Sequence, residues 1–158
     1  MRQKIIKGIF VVVCMLVIFL FSSDTSVEST AKSEGVILEV TSIFGLSSKE
    51  EQAIIDMFFV PVRKSAHFFI YFILGITLIS FFREFSIPLR RILLLSIFLA
   101  FLYACSDEVH QLFVAGRSGQ ASDVLLDTFG AMVGVGVYYL LFKKKMKEEL
   151  YEQKERIG

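Results

Sequence analysis

The stretch YACSDEVHQLFVAGRSGQASDVLLD, residues 103–127, decides how this chain is read. One apolar run leads into it and another leads out, so Asp107, Glu108, His110, Arg117, Asp123 and Asp127 fall at or just beyond the ends of two predicted membrane helices. Charge is costly in such a position, which makes each of these residues a functional candidate by default. Spacing sorts them further. Asp107, His110 and Gln111 recur at i, i+3 and i+4 and share a helix face, as do Asp123 and Asp127 at i, i+4.

Outward from that stretch, composition supports a membrane protein. The chain has 158 residues, 54% of them apolar, with 17 Phe and a net charge of +1, a balance better suited to lipid than to a soluble surface. A near-neutral charge with no basic-aromatic face gives no ground for nucleic-acid binding. Cys14 and Cys105 lie in apolar context and read as small buried hydrophobes, without disulfide or zinc-type spacing. The sequence predicts one all-α membrane domain over 1–158, a bundle of four spans at about 5–22, 65–82, 90–106 and 124–142, with a cytoplasmic tail at 143–158. The basic start MRQKIIK and the long apolar run after it suit a retained first helix better than a cleaved signal peptide, because the A-x-A cleavage pattern is missing.

Between the first two spans, Ser22 to about Lys32 is expected to be a polar loop. Two short amphipathic helices should follow, one carrying Val36, Ile37, Val40, Ile43 and Phe44, the other opened by a capping box at Ser47 or Ser48 and ended by Pro61. They would lie on the membrane surface or pack as a hairpin outside it. Pro88 bars a continuous helix between the second and third spans, and Gly116 and Gly119 mark a turn between the third and fourth. Gly130 and Gly134 form a G-x-x-x-G pair that would let another helix approach closely, within the chain or from a partner.

Lys and Arg placement sets the expected topology. Arg2, Lys4 and Lys7, then Arg83, Arg90 and Arg91, then Lys143, Lys144, Lys145 and Lys147 should be cytoplasmic, along with both termini. The acid-rich segment 22–62 and the loop holding Arg117 should face outward, so the bacterial plasma membrane would present the polar cluster on its extracytoplasmic side. Arg63 and Lys64 break that rule and are therefore expected to have a local job.

For chemistry, His67, Asp107, His110 and Asp123 are the candidates for acid/base or metal-assisted catalysis, and a divalent metal suits the set without being required by it. Arg63, Lys64, Tyr71, Glu108, Gln111 and Arg117 are the candidates for ligand binding, with the cations gripping an anionic headgroup. No H-E-x-x-H, G-x-S-x-G or P-loop is present. Three motifs carry a resemblance: RKSAHFFIYFILG from Arg63, SDEVHQLFVAGR from Ser106, and SDVLLDTFGAMVG from Ser122. Together they are similar to the VanZ-like family of bacterial membrane proteins, over about Ser33 to Phe142. Ala115 stands where that family often has Pro, and Asp127 where it often has Asn, which argues against a strict catalytic role for the Asp127 carboxylate. The resemblance implies a cell-envelope protein with an outward polar pocket, of a family associated with teicoplanin resistance. Its expected partners are membrane lipids and a lipid-linked wall precursor or the glycopeptide itself. The competing reading is a non-enzymatic accessory subunit whose cluster is internal bracing.

Overall fold

A computed structural model describes residues 1–155 and is helical throughout, with no strand among the described residues. Five helices follow in order: α1 (Arg2–Ser22), α2 (Ser26–Thr41), α3 (Ser48–Phe82), α4 (Leu89–Gln111) and α5 (Ala121–Glu155), with a 3-10 turn at Ser42–Phe44. Four of them, all but α2, are long and apolar enough to cross a membrane. Large apolar side chains cover the outside: Ile9, Phe10, Val12 and Leu16 of α1, Phe69 and Ile73 of α3, Leu94 and Phe98 of α4, and Leu125 and Phe129 of α5 are all exposed. A soluble bundle buries such residues, whereas lipid accepts them.

The bundle is built around α3 and α5, which run parallel. Their backbones approach so closely that glycine is needed on both sides. A Cβ on Gly134 would sit 2.1 Å from the Phe72 carbonyl oxygen, one on Gly130 2.5 Å from that of Phe68, and one on Gly75 2.2 Å from that of Ala131. The helix that the Gly130/Gly134 pair admits is therefore α3 of the same chain. Helix α4 adds a face of Ile92, Ser96, Ala100 and Ala104, all buried. Helix α1 lays Val11 and Ile18 against the same core, and is tied to α4 by a 2.6 Å hydrogen bond from the Tyr103 hydroxyl to the Met15 carbonyl. At the far end Lys7 pairs with Glu84, and Ile79, Ile92, Val135 and Met146 close a second apolar cluster.

Two local expectations are corrected. Residues 26–32 are helix rather than loop, because Thr25 and Glu28 form a full capping box that starts α2 there: the Thr25 side chain accepts from the Glu28 amide, and the Glu28 carboxylate accepts from the Thr25 amide at 2.8 Å. Hydrogen bonds from the Thr25 amide and hydroxyl also hold the exposed Glu28 carboxyl below its usual range. Pro61 does not end a helix. Helix α3 runs through it for 35 residues, about 52 Å at 1.5 Å per residue. The lost hydrogen bond and ring crowding, about 3 kcal/mol in an isolated helix, are offset by packing against α2 and α5. The segment preceding the second span is thus collinear with that span, and α3 packs on α2, with Ile37 and Ile55 both buried. The other expected boundaries stand closer. Ser47 and Glu50 form the expected capping box, Pro88 caps α4, α4 continues past 106 to Gln111, and α5 begins at Ala121.

The close contact yields a direct test. Gly134→Leu places a side chain into the Phe72 backbone and should cost about 3 kcal/mol or more. Gly136→Ala, whose Cβ meets nothing within 4 Å, should leave the thermal unfolding midpoint of the detergent-solubilised protein unchanged or slightly raised. Equal midpoints for the two variants would contradict the packing.

Candidate functional site

The parallel register of α3 and α5 sets two polar rungs at one end of the bundle. Lys64 Nζ donates to Asp123 Oδ1 at 2.5 Å, and one turn deeper His67 Nδ1 lies 3.7 Å from Asp127 Oδ2. The spacings that make this work are local: 64 to 67 and 123 to 127 each advance about one turn, so both pairs meet. The outer rung is partly exposed. In the inner rung Asp127 is fully buried.

Helix α4 brings the next layer. Asp107, Glu108 and Gln111 are buried, and the Gln111 amide nitrogen reaches Glu108 Oε1 at 3.3 Å and Asp107 Oδ2 at 3.5 Å. Glu108 Oε2 accepts from the Gln120 amide at 2.8 Å. It fills the role that a capping-box acid plays one turn inside a helix, but from another helix, and it sets negative charge at the positive end of α5. The loop between them is shaped by two close approaches. Gly116 has φ +73°, with Ser26 Oγ 2.3 Å from where a Cβ would be, and Gly119 rests against the Glu108 carbonyl. The Ala115 carbonyl in turn accepts from the Ser26 amide at 3.3 Å, which docks the loop on the start of α2.

Arg117 stands at the junction. Its Nε donates to the Asp24 carbonyl at 3.0 Å, and its two terminal nitrogens reach Gln111 Oε1 and the Phe21 carbonyl at 3.5 Å. It joins the end of α1 to the end of α4. Beside it lies a cavity of about 270 Å³ between α1, α2 and α3, with Ile18, Phe21, Val36, Val62, Ala66 and Ile70 as apolar wall and Asp24, Ser29, Lys32, Ser33, Arg63, His67 and Arg117 as polar border. Lys32 pairs with Asp24 at 2.6 Å. Arg63 has no hydrogen-bond or carboxylate partner among the described residues. Burial, then the neighbouring Arg63 guanidinium, pull Arg117 below its ordinary pKa.

His67, Asp107 and Asp127 converge from three helices, their nearest nitrogen and oxygen atoms within 4.8 Å of one another. Beneath them the Tyr71 hydroxyl is fully buried and, like both Asp127 oxygens and His67 Nδ1, has no hydrogen-bond partner among the described residues. His110 is not part of this group. Its Nε2 lies 3.2 Å from Ser23 Oγ and its ring stacks on Phe19 at 4.6 Å, so it leans toward α1. The structure therefore divides the candidate residues: His67, Tyr71, Asp107 and Asp127 form a buried centre, Arg63 and Arg117 border the cavity, and Lys64, Asp123, Glu108 and Gln111 tie helix ends together. Asp127, a functional candidate in sequence for which the resemblance argues against a strict catalytic role, is fully buried in this centre. Its signal is the four-residue step from Asp123 into an otherwise apolar span. Asp24 and Lys32, in a segment that reads as loop, carried no such signal.

Four membrane-length helices with a polar recess at one end define a multi-pass membrane protein. The chain belongs to the VanZ/LLP1 family, whose family model matches residues 8–142. No curated protein and no solved structure matches it.

Glu108 offers a test of the helix-end ties. Glu108→Ala leaves the α5 start without its acceptor and should cost about 1–2 kcal/mol, while Glu108→Gln, which keeps a carbonyl oxygen, should lose less. Chemical unfolding in detergent would rank the three proteins; a neutral Glu108→Ala would refute the capping role.

Proposed function

We propose that this protein sits in the bacterial plasma membrane with both termini in the cytoplasm and its polar end outward, and that the cavity beside Arg63 and Arg117 binds the anionic headgroup of a lipid-linked envelope ligand. The observation that carries the reading is the pair of guanidiniums bordering one cavity, with no carboxylate partner for Arg63 among the described residues. Like charges brought together at a partly buried site are unfavourable until an anion joins them, and guanidinium is the side chain best matched to phosphate or carboxylate. The apolar wall is suited to the first part of a lipid chain. Family membership links the reading to glycopeptide resistance, and a lipid-linked wall precursor is the ligand that joins the two.

The accessory-subunit reading draws on the hydrogen bonds of Glu108, Gln111 and Arg117, which brace helix ends. It accounts for those residues and leaves Arg63 without a role.

Purified protein titrated with a polyprenyl phosphate should bind it in preference to the uncharged polyprenol. Arg63→Gln should weaken that binding at least about tenfold, the loss of one charge-assisted hydrogen bond. In a sensitive Gram-positive host, wild-type protein should raise teicoplanin tolerance and Arg63→Gln should not, at equal membrane protein level. Equal binding of both lipids would refute the anion site, and full protection by Arg63→Gln would favour the accessory role.

A further inference from the structure

The cluster of His67, Asp107 and Asp127 sets two buried carboxyl groups against one imidazole. Asp127 is fully buried and Asp107 nearly so, and the imidazole is the only cationic group in the set. Even protonated, it offsets one carboxylate of two. Of the neighbouring cations, Lys64 pairs with Asp123, Arg117 with the Asp24 and Phe21 carbonyls and Gln111, and Arg63 lines the cavity. An uncompensated buried carboxylate costs several kcal/mol, and buried polar atoms without partners are rare enough to need a cause. Here they gather at one point. Both Asp127 oxygens, His67 Nδ1 and the Tyr71 hydroxyl lack hydrogen-bond partners among the described residues, and Tyr71 lies within electrostatic range of both carboxylates from a separate turn of α3.

We propose that His67, Asp107 and Asp127 form a binding site for a divalent first-row metal ion, zinc or manganese. One imidazole nitrogen and two carboxylate oxygens make the mixed donor set that such ions favour over magnesium or calcium, which take oxygen alone. Three protein ligands leave coordination positions open, as in metal sites that take up a water or ligand oxygen. Bonds of 2.0–2.2 Å put tetrahedral donors about 3.4 Å apart, so the present separations of up to 4.8 Å close by side-chain rotation of about an ångström. The three ligands come from three helices, and the bound ion would lock α3, α4 and α5 together. His67 also borders the cavity, which sets the ion at the inner side of the recess. The site stands independently of the anion reading, because metal content and lipid binding are separate measurements.

The full chain, purified in detergent and stripped with chelator, would be titrated with zinc or manganese chloride, with metal content read by elemental analysis and thermal unfolding followed in parallel. Wild type should take up about one ion per chain and unfold at a higher temperature when loaded. Asp127→Asn and Asp107→Asn should each weaken uptake at least about tenfold, and Glu39→Gln, at an exposed acid far from the cluster, should not. Wild type without stoichiometric metal, or Asp127→Asn binding as tightly as wild type, would overturn the proposal. Should Asp127→Asn fail to fold, Asp107→Asn and His67→Ala carry the same comparison.

Discussion

The close approach of α3 and α5 is the constraint from which the rest follows. Glycines at 75, 130 and 134 remove the side chains that would hold the two backbones apart, and in lipid, where helices gain nothing from expelling water, such close packing is a main source of association. Once the helices are locked in parallel register, Lys64 must face Asp123 and His67 must face Asp127. The polar end is thus a geometric consequence of an apolar contact that begins within a turn of it. Sliding one helix by a turn would part Lys64 from Asp123 and His67 from Asp127.

Around that pair the other elements are held by backbone groups as much as by side chains. Glu108 holds the start of α5, Arg117 gathers the carbonyls beyond α1, and the loop between them rests on α2 through Gly116 and Ala115. Each contact satisfies a helix end that water would otherwise serve, which matters near a membrane where water is scarce. Lys64 pairs with Asp123, and Lys32 with Asp24. Arg63 and the His67, Asp107 and Asp127 centre are left over: among the described residues the first has no carboxylate partner, and the second holds buried polar atoms without hydrogen-bond partners. His67 belongs to both, since it borders the cavity that Arg63 and Arg117 line and its Nδ1 faces Asp127.

The amino-acid sequence alone determined the four spans, the crowding of ionisable residues at span ends, and the pairing geometry within each helix, because hydropathy and the 3.6-residue period are local properties. It also carried the capping box at Ser47 and the break at Pro88. Pro61 and the segment after Ser22 misled it, since proline cost and polar composition are weak local signals that tertiary packing and a single capping box outweighed. Only the tertiary structure decided that Gly130 and Gly134 meet the chain's own α3, that His110 turns to α1 while Asp127 joins His67 and Asp107, and that Arg63 shares a cavity with Arg117. Those outcomes depend on the rotation and depth of one helix against another. Contacts between residues about 60 positions apart set both, and no periodicity within a single helix encodes them.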